Sequence, residues 1–144
     1  MIRATVALLV PLPVVAPTMV VVVDSRPDHL AQLASNNPRE FTLPIQWEMG
    51  REVLDAARAL KVDIPTMLQR CWNESKLLPG RIGVNQNGTR DFGVCQVNDR
   101  WTPEIVQQNT RERIWTAVRI MLRNYRACGS WKQADYKYAT GGCQ

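Results

Sequence analysis

Histidine is almost missing from this chain. One residue, His29, serves 144 positions, and it lies far from the four cysteines. Cys71, Cys95, Cys128 and Cys143 fit none of the common zinc spacings. No metal is therefore expected, and no other cofactor either. No stretch repeats itself and no tract is of low complexity, so a repeat architecture is excluded. Runs of one charge are missing as well. The 18 Lys and Arg exceed the 13 Asp and Glu but are spread through 51–90 and 111–126. Without a basic run or a dedicated recognition motif, direct nucleic-acid binding is not expected. The net charge of +5 still suits a polyanion such as an anionic membrane face or an acidic cell-wall polymer.

What is there begins with size. A chain of 144 residues is one domain with a short appendage, and it can bury roughly two-thirds of the surface its unfolded form exposes. It needs no metal or disulfide merely to fold. The even cysteine count fits two disulfides if the protein is exported, and buried thiols if it is not.

Residues 1–23 run from Met-Ile-Arg almost without polar groups to Val23. A basic residue before an apolar run is signal-peptide grammar, and the run is near the minimum for a membrane span. Pro11, Pro13 and Pro17 interrupt the helix that either would need, and no clean cleavage site follows. The segment is expected to be an export-type targeting segment with membrane contact through 4–23, or else an uncleaved anchor or a capsid-associated tail; the first two go with a periplasmic or cell-envelope location and the last with a phage particle. Residues 24–45, with Pro27, Asn36, Asn37, Pro38 and Pro44, read as a linker. The folded domain is expected over 46–144.

Within that domain Trp47, Val53, Leu54, Ala57 and Leu60 share one helical stripe. Asp63 reads as the cap of a second helix with Pro65 in its first turn. Met67, Leu68, Cys71 and Trp72 form that helix's buried face, and Pro79-Gly80 stops it. Asn87-Gly88 signals a hairpin turn, with the second strand leading into Phe92–Val97. Asn109 and Glu112 have capping-box spacing for a helix over 110–127, with Ile114, Val118, Met121, Leu122 and Tyr125 facing the core. Gly129 ends it, and Ser130 with Gln133 caps a last helix through about Tyr138. The fold class is mostly α, an α+β domain with a small β insertion.

Glu74 falls in or just after the last turn of the second helix. The negative end of the helix dipole, together with an apolar wall from Trp72 and its aliphatic neighbours, would favour the protonated carboxyl that a general acid needs. Gln96 is an amide set between Val94 and Val97. Asp91 reads either as a turn residue bonding the hairpin or as a holder of water. Trp101 and Trp131 read as core residues, or as groove residues against a glycan.

Three segments in order carry a resemblance: Glu74-Ser75 at the helix end, Gly93-Val-Cys-Gln-Val-Asn98, and Tyr138-Ala-Thr-Gly141. Together they resemble the lytic transglycosylases of the lysozyme-like superfamily. The closest likeness is to the small specialised members that accompany secretion systems, conjugation machines and phage particles. In that family Glu-Ser closes the catalytic helix, a Gly-Leu-Met-Gln-Ile-Asn-type segment lines the sugar groove, and Tyr-Asn-Ala-Gly closes the site. The likeness covers roughly 46–142. It implies a lysozyme-like fold and cleavage of the MurNAc-GlcNAc β-1,4 bond of peptidoglycan. Glu74 would protonate the glycosidic oxygen and then take the proton of the sugar's own 6-hydroxyl, giving a 1,6-anhydro product. A single carboxylate then suffices, unlike the paired acids of ordinary glycosidases. A hydrolytic outcome would instead draw on Asp91 and water, and a glycan-binding or structural virion protein is the non-enzymatic alternative.

The resemblance further implies that Ser75 belongs with the substrate-binding residues, orienting or hydrogen-bonding near the catalytic centre. Gln96 and Asn98 would offer groove amides to N-acetyl groups, and Tyr138 would reach Glu74 or the sugar. The expected partners are peptidoglycan strands and a larger machine. Cys95 stands where the family has Met, and Ala139-Thr140 where it has Asn-Ala. The chain also stops almost at the closing motif, so the groove is expected to be more open than in relatives or completed by a partner. The pairing expected on this basis is Cys71 with Cys95, on two segments that must pack together, and Cys128 with Cys143, bracketing the final helix.

Overall fold

Local caps set most of the helix boundaries. The computed structural model describes residues 28–144, so the expected targeting or anchor segment 1–23 lies outside the described residues. The elements run α1 His29–Asn36, α2 Pro44–Ala59, α3 Ile64–Ser75, β1 Ile82–Val84, β2 Arg90–Phe92, β3 Val97–Asn98, a 3-10 turn Pro103–Val106, α4 Thr110–Cys128 and α5 Trp131–Thr140. Asp63 accepts from the Thr66 amide to start α3. Asn109 and Glu112 exchange side-chain and backbone hydrogen bonds to start α4, and Ser130 accepts from the Gln133 amide to start α5. Among the described residues the protein is mostly helical with one small antiparallel sheet, an α+β arrangement.

The linker expected over 24–45 does not hold for its second part. Asp28 caps α1, and Leu30, Leu33 and Phe41 are buried in the core. Phe41 stacks on Trp72 with ring centroids 5.2 Å apart and meets Trp47 edge-on at 4.9 Å. At Gly50 helix α2 lies close against α1: a Cβ at that position would run into the Leu30 side chain. The stripe of α2 is rotated to match. Met49, Gly50, Val53, Ala56 and Ala57 are buried, while Trp47, Leu54 and Leu60 are half-buried at its margin.

Helix α3 lies at the centre. Met67, Leu68, Cys71 and Trp72 are all buried, as expected, among Val53, Ala57, Val118 and Met121. On α4 the inward residues are Ile114, Thr116, Ala117, Val118, Met121 and Asn124, with Leu122 and Tyr125 half-buried against the cluster. Helix α5 packs on α4 and also reaches α3, and its Trp131 stacks on Tyr125 at 4.0 Å. Among the described residues no helix is long and apolar enough to cross a membrane.

The sheet has the order β1-β2-β3, with Gly83 opposite Asp91 and Asp91 opposite Asn98. The Asn87-Gly88 turn is where the sequence puts it, closed by the Asn85 amide on the Thr89 carbonyl at 2.8 Å. The run Phe92–Val97 is not one strand. Gly93 at φ +79° and Gln96 at φ +49° fold residues 93–96 into a turn. Gly93 has a backbone that other residues rarely adopt, and a Cβ there would press on the Arg113 side chain at 3.3 Å.

Candidate functional site

The end of α3 is clamped from three directions, and that clamp sets where Glu74 points. Gln46, buried on α2, donates to the Lys76 and Glu40 carbonyls, each at 3.0 Å, and accepts from the Thr42 and Leu43 amides. Ser75 donates to the Val94 carbonyl at 2.6 Å and accepts from the Leu78 amide at 3.1 Å. Cys71 and Cys95 form a disulfide with Cα atoms 4.2 Å apart. Lys76 and Leu77 both sit at φ +60°, turning the chain sharply away so that Glu74 is left at the helix end.

Glu74 opens, with a side chain 27% exposed, on a cleft of about 640 Å³. Asp91, Gln96, Asn98 and Tyr138 line the same cleft, with Trp101, Arg123, Asn124 and Lys137. Residues from α3, the sheet and its turns, α4 and α5 thus meet at one opening. Five of the six residues singled out in the sequence come together there.

Ser75 is the exception, and its expected contact with a sugar is corrected. It is fully buried, both of its hydrogen bonds go to backbone, and it ties α3 to the turn 93–96. A hydroxyl without exposed surface cannot touch a glycan. Trp72, expected to wall Glu74, does not do so. Trp72 points into the core, 1% exposed, because residues two apart on a helix face nearly opposite ways. The neighbour of Glu74 is instead a cation: Arg70 Nη1 donates to Glu74 Oε1 at 3.1 Å.

The amides of the cleft are committed in part. Gln96 Nε2 donates to the Gly93 carbonyl at 2.8 Å and to the Arg81 carbonyl at 3.0 Å, so it braces its own turn. Asn98 Nδ2 donates to Asp91 Oδ1 at 2.7 Å, and Asn85 Nδ2 donates to Asp91 Oδ2 at 2.8 Å. Asp91 therefore bonds the hairpin, as one of its two readings held, and it does so while lining the cleft. Tyr138 donates to the Cys95 carbonyl at 2.9 Å. Withdrawal from water, and after it the charge of Glu74, push its phenol well above the ordinary range. Its hydroxyl thus stays protonated at this end of the cleft.

Arg70, Asp135, Arg123 and Lys137 escaped the sequence reading. Arg70 was within reach of it, standing one turn before Glu74 on the same helix face. Asp135 was not, because its contact spans 65 positions. Trp101 is not core: it is 74% exposed at the lip of the cleft, whereas Trp131 is a packing residue. Cys128 and Cys143 form the second disulfide. Among the described residues no group of three His, Cys, Asp or Glu could hold a metal ion. In comparison with known proteins, the chain matches no family model, and no curated protein matches it.

Proposed function

We propose that this protein is a peptidoglycan lytic transglycosylase of lysozyme-like fold, with Glu74 as its single acid and base. The observation that carries the reading is the convergence of Glu74, Gln96, Asn98 and Tyr138, from three separate segments, on one open cleft. In the first half-reaction the protonated Glu74 gives its proton to the glycosidic oxygen of a MurNAc-GlcNAc bond as the bond to C1 breaks. In the second, the 6-hydroxyl oxygen of the same sugar bonds to C1 and its proton passes to the Glu74 carboxylate. Water takes no part, the ring closes as a 1,6-anhydro sugar, and Glu74 ends as it began. The amide hydrogens of Asn98 and Gln96 are taken by protein acceptors, so their amide oxygens are what would accept from the N–H of an N-acetyl group, and Tyr138 keeps the turn that carries Gln96 against α5. The basic chain suits an anionic wall polymer. Its place would be the cell envelope, opening the wall locally for a secretion or conjugation apparatus or for a phage.

A second reading has its own observation. Asp91 lines the cleft with both carboxylate oxygens held, by Asn85 and Asn98, which is how a residue that orients water would be fixed. The chain would then be a hydrolase of the same bond. Digestion of purified peptidoglycan followed by mass analysis of the chain ends separates the two: anhydro ends support the transglycosylase, free reducing ends the hydrolase. Glu74→Gln should cut the rate by roughly a hundred- to ten-thousandfold, the usual worth of a positioned acid. A Glu74→Gln variant that digests peptidoglycan as fast as wild type would refute both assignments of Glu74 and mean a misplaced catalytic residue, whereas a wild type without activity would leave a glycan-binding or structural virion protein.

A further inference from the structure

Arg70 is held at more than one point. Its Nε donates to Asp135 Oδ1 at 2.6 Å and its Nη2 to the Asp135 carbonyl at 3.3 Å, while Nη1 donates to Glu74 Oε1 at 3.1 Å. The Arg70 side chain is only 13% exposed. A guanidinium is a rigid planar fork, so fixing Nε and Nη2 decides where Nη1 points. The hydrogen bond that Arg70 donates to Asp135 outweighs the cost of burial and raises it above its ordinary range, so the guanidinium, always charged in any case, stays a cation here. Asp135 stands three residues before Tyr138, on the same face of α5. That one helix therefore fixes Arg70 beside Glu74 and, through Tyr138, the turn across the cleft.

We propose that Arg70, locked by Asp135, is the positioning residue for Glu74: it occupies Oε1 and leaves Oε2 as the oxygen that gives and regains the proton. The proposal rests on the transglycosylase reading and assigns the two carboxyl oxygens separate work. The proton leaves Oε2 for the glycosidic oxygen, which departs with the electron pair of its bond to C1. The proton of the 6-hydroxyl returns to Oε2 as the new bond to C1 forms. Arg70 keeps all its protons throughout. Negative charge grows on Glu74 during the first transfer, and a donor anchored beforehand stabilises that charge without reorganising. Such an interaction strengthens on the way to the transition state, so its loss lowers kcat rather than raising KM.

The test is steady-state kinetics of the intact protein on soluble peptidoglycan strands, with Arg70→Met, Arg70→Lys, Asp135→Asn and the double variant Asp135→Asn/Arg70→Met. Arg70→Met should lower kcat roughly ten- to a hundredfold, with KM within about twofold of wild type. Arg70→Lys should recover part of the loss. Asp135→Asn should cost less, and the double variant should be no slower than Arg70→Met alone, because Asp135 acts through Arg70. A wild-type kcat in Arg70→Met, a loss confined to KM, or losses that multiply in the double variant would each overturn the proposal. If Arg70→Met fails to fold, Asp135→Asn carries the same comparison of kcat with KM, since it keeps the whole Arg70 side chain. A dead Glu74→Gln beside a fully active Arg70→Met sinks only this proposal. A Glu74→Gln as active as wild type, or a wild type with no activity on peptidoglycan, sinks the transglycosylase reading together with it.

Discussion

The two walls of the cleft are made of different material. On one side Glu74, Arg123, Asn124, Lys137 and Tyr138 stand on α3, α4 and α5, whose inner faces carry Trp72, Met121 and Ala134 in the core. On the other side Asn85, Asp91, Gln96, Asn98 and Trp101 come from strands of two or three residues and their turns. This second wall has little core of its own: Phe92, Val94 and Val97 are buried, while Ile82 and Val84 are exposed. A short three-stranded sheet needs a surface to pack on. Here its support is a chain of polar contacts, with Asp91 held between Asn85 and Asn98, and Asp99 between the Arg90 amide and guanidinium. Three attachments to the helical wall all fall on residues 94 and 95: the Cys71–Cys95 disulfide, Ser75 on the Val94 carbonyl, and Tyr138 on the Cys95 carbonyl. The helical wall is rigid because it is packed. The sheet wall is rigid because it is riveted at one place, next to Gln96.

If that contrast is right, cutting the rivet should hurt more than its surface suggests. Replacing Cys71 and Cys95 together by Ser frees a loop closed across 24 positions, and loop entropy puts the loss at about 3.5 kcal/mol. Denaturant unfolding would measure it. Digestion of peptidoglycan should fall too, because the Cys95 carbonyl that receives Tyr138 is then held on one side only. A cost under about 1 kcal/mol, outside the usual range for such a link, would mean that the sheet wall is held by its own contacts.

Ser75 is the smaller rivet. Ser75→Ala removes a buried donor from the Val94 carbonyl and an acceptor from the Leu78 amide, at an expected cost of about 1–3 kcal/mol for groups left unpaired. Because Ser75 has no surface in the cleft, its loss should lower stability without changing the chain ends found after digestion. A Ser75→Ala protein as stable as wild type would mean that the end of α3 is fixed by Gln46 and the disulfide alone.

The same contrast explains what could be read in the sequence. The caps of α3, α4 and α5 were legible because Asp63, Asn109 with Glu112, and Ser130 act on residues three positions away. The Asn87-Gly88 hairpin was legible for the same reason. Helix α1 was missed although it carries the same local signals: Asp28 caps the Ala31 amide three positions on, and Leu30 and Leu33 share one face. Its eight residues between prolines are too few to be helical alone and rest on the surface that α2 and α3 offer. The turn at 93–96 was hidden because Val94-Cys95-Gln96-Val97 has the composition of a strand, and only the left-handed Gly93 and Gln96 break it. At the candidate site, the three spaced segments named Glu74, Gln96, Asn98 and Tyr138, and the fold brings all four to one cleft. The carboxylate partner Asp135 could not be found, because nothing local ties it to Arg70.

Trp101 gives the smallest effect on stability and the sharpest separation of the two walls. It stands on the sheet side, 74% exposed, at the boundary between the main cleft and a shallower one of about 510 Å³ that also includes Gln86, Asn87 and Arg100. The Arg100 guanidinium lies 5.1 Å from its ring, which leaves the opposite face of the indole for a ligand. A sugar ring stacks on such a face through its C–H groups, while the neighbouring amides take its hydroxyls. Trp101→Ala should therefore change stability by less than about 0.5 kcal/mol, as expected for an exposed side chain. Binding of glycan oligomers to the Glu74→Gln protein should nonetheless weaken by roughly tenfold, the loss of one aromatic contact. Calorimetric titration with oligomers of increasing length gives the discriminating result. If Trp101 lies under the strand, long oligomers lose their advantage over short ones in the variant. If the advantage persists, the glycan leaves the cleft along the helical wall, past Arg123 and Lys137.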